Sequence, residues 1–105
     1  MIEIVKPCEK EIAALPLTIR EDLADAIARL DAGLLLSMPL SRPMPDIGRG
    51  VSELRLRDRS GIYRVFYVVR QRSAVYVLHA MKKTTQATPH QTIKLVRKRL
   101  MEVLP

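Results

Sequence analysis

The sequence predicts an α+β domain in which helices pack on a small antiparallel sheet, with the element order β-α-α-β-β-β-α. Three observations predict it. Residues 18–33 carry an apolar stripe at helical spacing between a start signal and a glycine stop. Residues 51–81 hold three strand-like segments separated by turn residues. Pro89 opens a second apolar stripe at helical spacing near the C-terminus. With 105 residues and 48% hydrophobic content, the chain fits one domain, residues 1–105, whose core needs no disulfide or metal.

Met1 to Val5, rich in Ile and Val, predicts a short first strand that Pro7 ends. Cys8 to Leu15 predicts a short helix with Ile12 and Leu15 on one face, stopped by Pro16. Thr18-Ile19-Arg20-Glu21 has the spacing of a capping box. The stripe Ile19, Leu23, Ala26, Ile27, Leu30 then predicts the main helix, with Glu21 and Asp22 in its first turn and Gly33 beyond its end. Residues 34–50 hold Pro39, Pro43, Pro45, Gly48 and Gly50 and predict a loop. Leu34, Leu35, Leu36 and Leu40 predict that this loop packs on the domain.

Val51 to Arg57 alternates, with Leu54 and Leu56 on one face and Glu53, Arg55 and Arg57 on the other. Asp58-Arg59-Ser60-Gly61 predicts a hairpin turn. Ile62 to Arg70 is apolar on both faces, as a central strand is. Gln71-Arg72-Ser73 predicts a second turn, and Ala74 to Met81 a third strand of an antiparallel meander. After a polar loop, Thr88-Pro89 starts the last helix, with Ile93, Val96, Leu100 and Leu104 as its apolar stripe. Lys94, Arg97, Lys98 and Arg99 are expected on its solvated face, suited to the negative end of the helix dipole, with direct RNA contact as the alternative.

Charge is unevenly placed. Residues 1–48 carry five Lys/Arg against eight Asp/Glu, net −3; residues 49–105 carry thirteen against three, net +10. The second part is the electrostatic footprint for a nucleic acid or an acidic protein. One cysteine, Cys8, excludes an intramolecular disulfide and fits a reducing cytoplasm. The N-terminus lacks a secretory pattern, and no stretch approaches 18 apolar residues, so no membrane association is expected.

The cations sit at fixed places among apolar strand residues: Arg55 and Arg57, then Arg64, then Lys82 and Lys83. A strand fixes the direction of each side chain, so such cations can grip a phosphate. A phosphate-cradling glycine loop, a nucleophile elbow and zinc spacing are absent, and no metal or other cofactor is expected. RNA cleavage needs none, because the substrate's own 2′-hydroxyl can attack the adjacent phosphorus. The protein need only orient it, stabilise charge on the phosphate and move protons. Arginine grips phosphate but carries protons poorly; lysine and histidine can carry them when neighbouring cations lower their pKa.

The segments Glu53-Leu54-Arg55-Leu56-Arg57, Gly61-Ile62-Tyr63-Arg64-Val65-Phe66-Tyr67 and His79-x-x-Lys82-Lys83-Thr84, followed by Pro89 and a basic helix, resemble the RelE/HigB superfamily of bacterial toxins. The pattern is most similar to the phage-derived HigB-like branch of type II toxin–antitoxin systems. The resemblance implies a RelE-like fold and a metal-independent, ribosome-dependent mRNA interferase that inhibits translation. It also implies a cognate antitoxin of helix-turn-helix type, through which alone the protein would meet operon DNA. By position, Arg55 and Arg57 fall where the RelE branch has two lysines, and Arg64 on that branch's phosphate-gripping arginine. Lys83, with Lys82, falls where a third-strand arginine acts. The branch's catalytic tyrosine falls on Pro89, so its role would pass to His79 or Tyr67, or be lost.

Alternatives stay open at each position. Arg64 can grip phosphate or pair with Glu53 or Asp58 across the hairpin. Arg55, Arg57, Lys82 and Lys83 can be functional or solvated surface cations. His79 can move a proton or be a satisfied strand residue. Tyr63 and Tyr67, on the face opposite Arg64, read as core, and Cys8 as a small buried hydrophobe. The sister ParE-like branch, which inhibits DNA gyrase without catalysis, is the alternative function. A plain DNA-binding domain is disfavoured, since no helix combines helix-turn-helix spacing with base-reading residues.

Overall fold

The computed structural model describes residues 1–70, 74–84 and 87–103. The elements are β1 (Ile2–Ile4), α1 (Lys6–Ala13), α2 (Leu17–Asp31), β2 (Ser41–Pro43), β3 (Val51–Asp58), β4 (Gly61–Arg70), β5 (Ala74–Lys82) and α3 (His90–Val103). The strands form one sheet in the order β1-β5-β4-β3-β2. The α+β class and the β3-β4-β5 meander are as expected, with β4 at the centre.

Two features of the sheet depart from the sequence reading. β1 pairs with β5 in parallel, Ile2 against Val75 and Ile4 against Val77, so the sheet is mixed. No hairpin joins these strands, and the long connection through both N-terminal helices leaves either direction open. The loop after α2 also contains a strand. β2 pairs Ser41 with Leu54 and Pro43 with Ser52. At three residues it is too short to show a period, and as an edge strand it tolerates Pro43. Leu36, Leu40 and Met44 of this segment pack on the core and Ile47 is buried, while Leu34 and Leu35 stay exposed.

The two N-terminal helices also start earlier than expected, whereas α3 starts at His90, just after the Pro89 expected to open it. Pro7 lies in the first turn of α1, where its missing N–H costs nothing, so it begins that helix. In α2 the N-cap is Pro16, and the capping box is not made. Thr18 is already helical and its hydroxyl donates to Asp58 Oδ2 at 2.8 Å, tying α2 to the β3–β4 hairpin. Glu21 and Asp22 consequently fall outside the first turn. The expected stripe Ile19, Leu23, Ala26, Ile27, Leu30 is the buried face.

The hairpin turn forms as read. Asp58 Oδ1 accepts from the Ser60 amide at 2.8 Å and from its hydroxyl at 2.6 Å, and Gly61 holds φ +143°. Gly61→Ala would impose that backbone on a residue with a Cβ, which would also lie 2.9 Å from Lys82 Cε. A loss of about 1–3 kcal/mol is expected, read as a lower urea midpoint. The turn expected at residues 71–73 and the end of the α3 stripe at Leu104 lie outside the described residues.

Register sorts the side chains onto two faces. Leu54, Leu56, Tyr63, Val65, Tyr67, Ala80 and Lys82 share one, which receives α1 and α2. Val51, Glu53, Arg55, Arg57, Ile62, Arg64, Phe66, His79 and Met81 share the other. α3 lies across part of this second face. Thr92 Oγ1 contacts Met81 Sδ at 3.6 Å, and Arg99 reaches His79. Leu100 packs tightly against Gly48. Arg97 donates to the Ile47 carbonyl at 3.2 Å and to that of Asp46.

Candidate functional site

On the second face Arg55 stands directly opposite Arg64 in the β3–β4 ladder, and Arg57 opposite Ile62. Like charges paired across strands repel. A carboxylate lies between them. Glu53 Oε1 is 3.6 Å from Arg55 Nε, and Glu53 Oε2 is 3.5 Å from Arg64 Nε. Glu53 is 1% exposed and Arg64 2%. Arg55 is half-buried and Arg57 exposed. The cations thus form a gradient from a buried root at Arg64 to a solvated end at Arg57. Arg64 Nη1 also donates to Thr88 Oγ1 at 2.9 Å, which draws the segment before α3 onto the site. Of the two sequence partners offered for Arg64, Glu53 is the one it meets; Asp58 is held by Thr18 and Ser60.

Lys82 and Lys83 part company. They are neighbours at the end of an extended strand and point to opposite sides. Lys82 sits opposite Tyr63, with its Nζ 6.0 Å from the ring centroid, on the face away from Arg64. It does not join the cationic group. Lys83 does. Its amide donates to the Ile62 carbonyl at 2.7 Å, which continues the ladder one residue past β5. Its ammonium is held below the usual lysine range, first by partial loss of solvation, then by Arg55 and Arg64, with Arg57 adding a little and Glu53 opposing.

His79 shares the face but turns elsewhere. It is 9% exposed and stacks on Phe66 at 6.1 Å between ring centroids. Its Nδ1 lies 2.8 Å from Glu11 Oε1 and 3.2 Å from Arg99 Nη1. Arg99, expected in solvent, is 8% exposed and also donates to Glu11 Oε1 at 2.8 Å and to the Leu78 carbonyl at 2.9 Å. Glu11 Oε1 further accepts from the Ala80 amide at 3.2 Å. These bonds serve the stretch of β5 beyond the reach of β1, beside the register shift opposite Phe66 and Tyr67. His79 is therefore a satisfied strand residue in a clasp between α1, β5 and α3. Its pKa is lowered by burial against the upward pull of Glu11. Burial, reinforced by Glu11, pushes the Cys8 thiol up to about 12, so it is protonated and inert.

The tyrosines stay out of the cationic group. Tyr63 and Tyr67 are buried on the other face, where their hydroxyls pair with Ser60 and Ser41 at 2.6 Å. Tyr76 pairs with Val68, four residues along β4 from Arg64. Pro89 precedes α3, its carbonyl accepting from the Ile93 amide at 3.1 Å. Among the described residues no group of three His, Cys, Asp or Glu could hold a metal ion. No described helix is long and apolar enough to cross a membrane. The structure thus brings together Arg55, Arg57, Arg64 and Lys83, and adds Glu53 and Thr88. Glu53 was visible as a polar-face residue and as one of two partners offered for Arg64, and Thr88 only as a helix start.

The α+β frame with its five-stranded mixed sheet matches the RelE fold. The chain is similar to a solved structure of the E. coli toxin RelE, a double arginine-to-alanine mutant in the free state. The TM-score is 0.56 at 20% sequence identity, over 95% of this chain and 96% of that one. The family described as "Phage derived protein Gp49-like (DUF891)" matches residues 10–101. The chain belongs to this family, which is of the RelE/HigB toxin type. No curated protein sequence matches it significantly.

Proposed function

We propose that this protein is the toxin of a type II toxin–antitoxin system, an mRNA interferase that cuts messages on the ribosome and is neutralised by a cognate antitoxin. The observation that supports this reading is the convergence of Arg55, Arg57, Arg64 and the proton-labile Lys83 on one sheet face. In this reading Arg64, whose Nη1 exchanges Thr88 for substrate, and Arg55 bind the non-bridging oxygens of the scissile phosphate, and Arg57 a neighbouring phosphate. The substrate's 2′-oxygen attacks phosphorus and its proton passes to solvent. The bond from phosphorus to the 5′-oxygen breaks, and the Lys83 ammonium protonates that oxygen. The products are a 2′,3′-cyclic phosphate and a 5′-hydroxyl. A lysine whose pKa is lowered gives up its proton more readily than an ordinary one. Lys82 and His79 have no part in this scheme.

Primer extension on a defined mRNA, with and without translating ribosomes, tests the reading. Cuts that require ribosomes are expected. Growth arrest with DNA damage and no cuts would transfer the assignment to a gyrase-directed toxin of the ParE kind. Lys83→Arg is expected to hold RNA as the wild type does but to lose about 10²–10⁴-fold in cleavage rate, because arginine keeps the charge without releasing a proton. The wild-type rate should fall as pH rises through the Lys83 pKa, below the usual lysine range. A Lys83→Arg protein with wild-type rate and pH profile would remove lysine from the proton transfer.

A further inference from the structure

We infer that Glu53 is a positioning residue of this site: its buried carboxylate aims Arg55 and Arg64 and restrains the affinity of the cationic face for phosphate. The inference rests on the reading of that face as a phosphate site. Burying a carboxylate is costly even when it is paired, and an apolar side chain of similar size often stabilises a fold as well or better. Stability alone is thus a poor account of a glutamate 1% exposed.

Its geometry supplies a better one. Each Glu53 oxygen faces one arginine, at 3.6 Å from Arg55 Nε and 3.5 Å from Arg64 Nε. Both guanidinium groups are therefore approached at Nε, the inner nitrogen, and their outer nitrogens extend past the carboxylate. For Arg64 that outer end is where Thr88 meets Nη1. The planar fork of arginine matches phosphate only in a fixed orientation, and a carboxylate at ion-pair distance from both Nε atoms favours one orientation of each fork. The carboxylate also separates two cations that the ladder sets directly opposite each other.

The same negative charge repels a bound phosphate. Glu53 thereby weakens binding that ground state and transition state share, while its hold on the arginines favours the geometry needed as charge builds on phosphorus. Its charge also opposes the downward pull on Lys83.

The test compares Glu53→Gln, which keeps shape and removes charge, with Glu53→Asp, which keeps charge and shortens reach. Three readouts are needed: kcat and KM for ribosome-bound message, the Kd for a 2′-O-methyl RNA oligonucleotide that cannot be cut, and the NMR titration of labelled Lys83. Glu53→Gln is expected to bind the oligonucleotide about threefold tighter, the size of one unit-charge repulsion across several ångströms of a water-like medium. Its kcat should fall about tenfold or more without a rise in KM, and Lys83 should titrate lower than in the wild type. Glu53→Asp should keep the oligonucleotide Kd and the Lys83 titration but lose kcat.

Unchanged kcat and Kd in Glu53→Gln would overturn the inference. So would a joint loss of kcat and binding with Lys83 unmoved, the pattern of a merely structural residue. If Glu53→Gln fails to fold, Glu53→Asp decides: a wild-type kcat overturns the inference. If the wild type cuts no RNA, the interferase reading fails by itself. Oligonucleotide affinity and the Lys83 titration then still decide whether Glu53 organises the cations.

Discussion

Replacing Arg64 with alanine is expected to lower RNA cleavage by about 10²–10³-fold, the usual effect of losing one preorganised donor at a developing anion. It is also expected to weaken the fold. Arg64 is buried with Glu53, and removing one member of a buried ion pair costs about 3–5 kcal/mol. Arg55 remains beside Glu53, so the lower end of that range is expected. Lost activity in Arg64→Ala is therefore informative only beside a urea titration of the same preparation. Arg64→Lys separates the two effects. It keeps a charge against Glu53 but not the planar fork, so stability should largely survive while cleavage falls. Arg55→Ala, at a half-buried position, should cost activity with a smaller loss of stability. A folded Arg64→Ala protein that cleaves at the wild-type rate would remove Arg64 from the site.

The second large effect lies away from the cationic face. Glu11→Ala would leave Arg99 and His79 without their shared acceptor and the Ala80 amide without its partner. A loss of about 3 kcal/mol is expected, moderated because Glu11 keeps some contact with water. In a chain of this length that lowers Tm by more than about 10 °C. The clasp also fixes the pH dependence. Burial lowers the His79 pKa from its ordinary 6.5. Burial alone would raise Glu11, but hydrogen bonds from Arg99 and the Ala80 amide, together with His79, outweigh it and leave Glu11 below 4.5. Both groups bind protons more readily in the unfolded chain. The stability they give is complete above 6.5, falls as pH drops through the folded His79 value, and falls again through that of Glu11. Urea midpoints measured from pH 8 down to about pH 2 should show two declines, and in Glu11→Gln the lower one should shrink to what Asp58 contributes. A flat profile would contradict the assignment.

The comparison of sequence with structure turns on what periodicity can carry. The α2 stripe was legible because five apolar residues at helical spacing have one burial solution. The meander was legible because alternation over residues 51–57, the turn residues Asp58 to Gly61 and the apolar run from Ile62 agree. Glu53, Arg55 and Arg57 were read correctly as one face, but alternation does not tell a solvated face from a covered one. That face is buried at Glu53 and opens towards Arg57. The same blindness hid Arg99, whose helical position was clear but whose partners lie on α1 and β5, far away in sequence. The separation of Lys82 from Lys83 was available from strand geometry alone, since neighbouring strand residues point to opposite sides. The resemblance treated them as a pair. β1 and β2 carry too few residues for any pattern to fix their partners.

The parallel pairing of β1 with β5 has a consequence for the order of events in synthesis. Ile2 has no strand partner until Val75 has been made, and Glu11 waits for an arginine 88 residues further on. Contacts of such long range must close most of the chain into a loop before they return any stabilisation, and they form slowly. β1 is thus made before every other strand described and is among the last to be secured. A message cut short before the codon for Val75 would release a chain whose opening strand has no partner in the sheet and whose first helix lacks the strand that Glu11 grips.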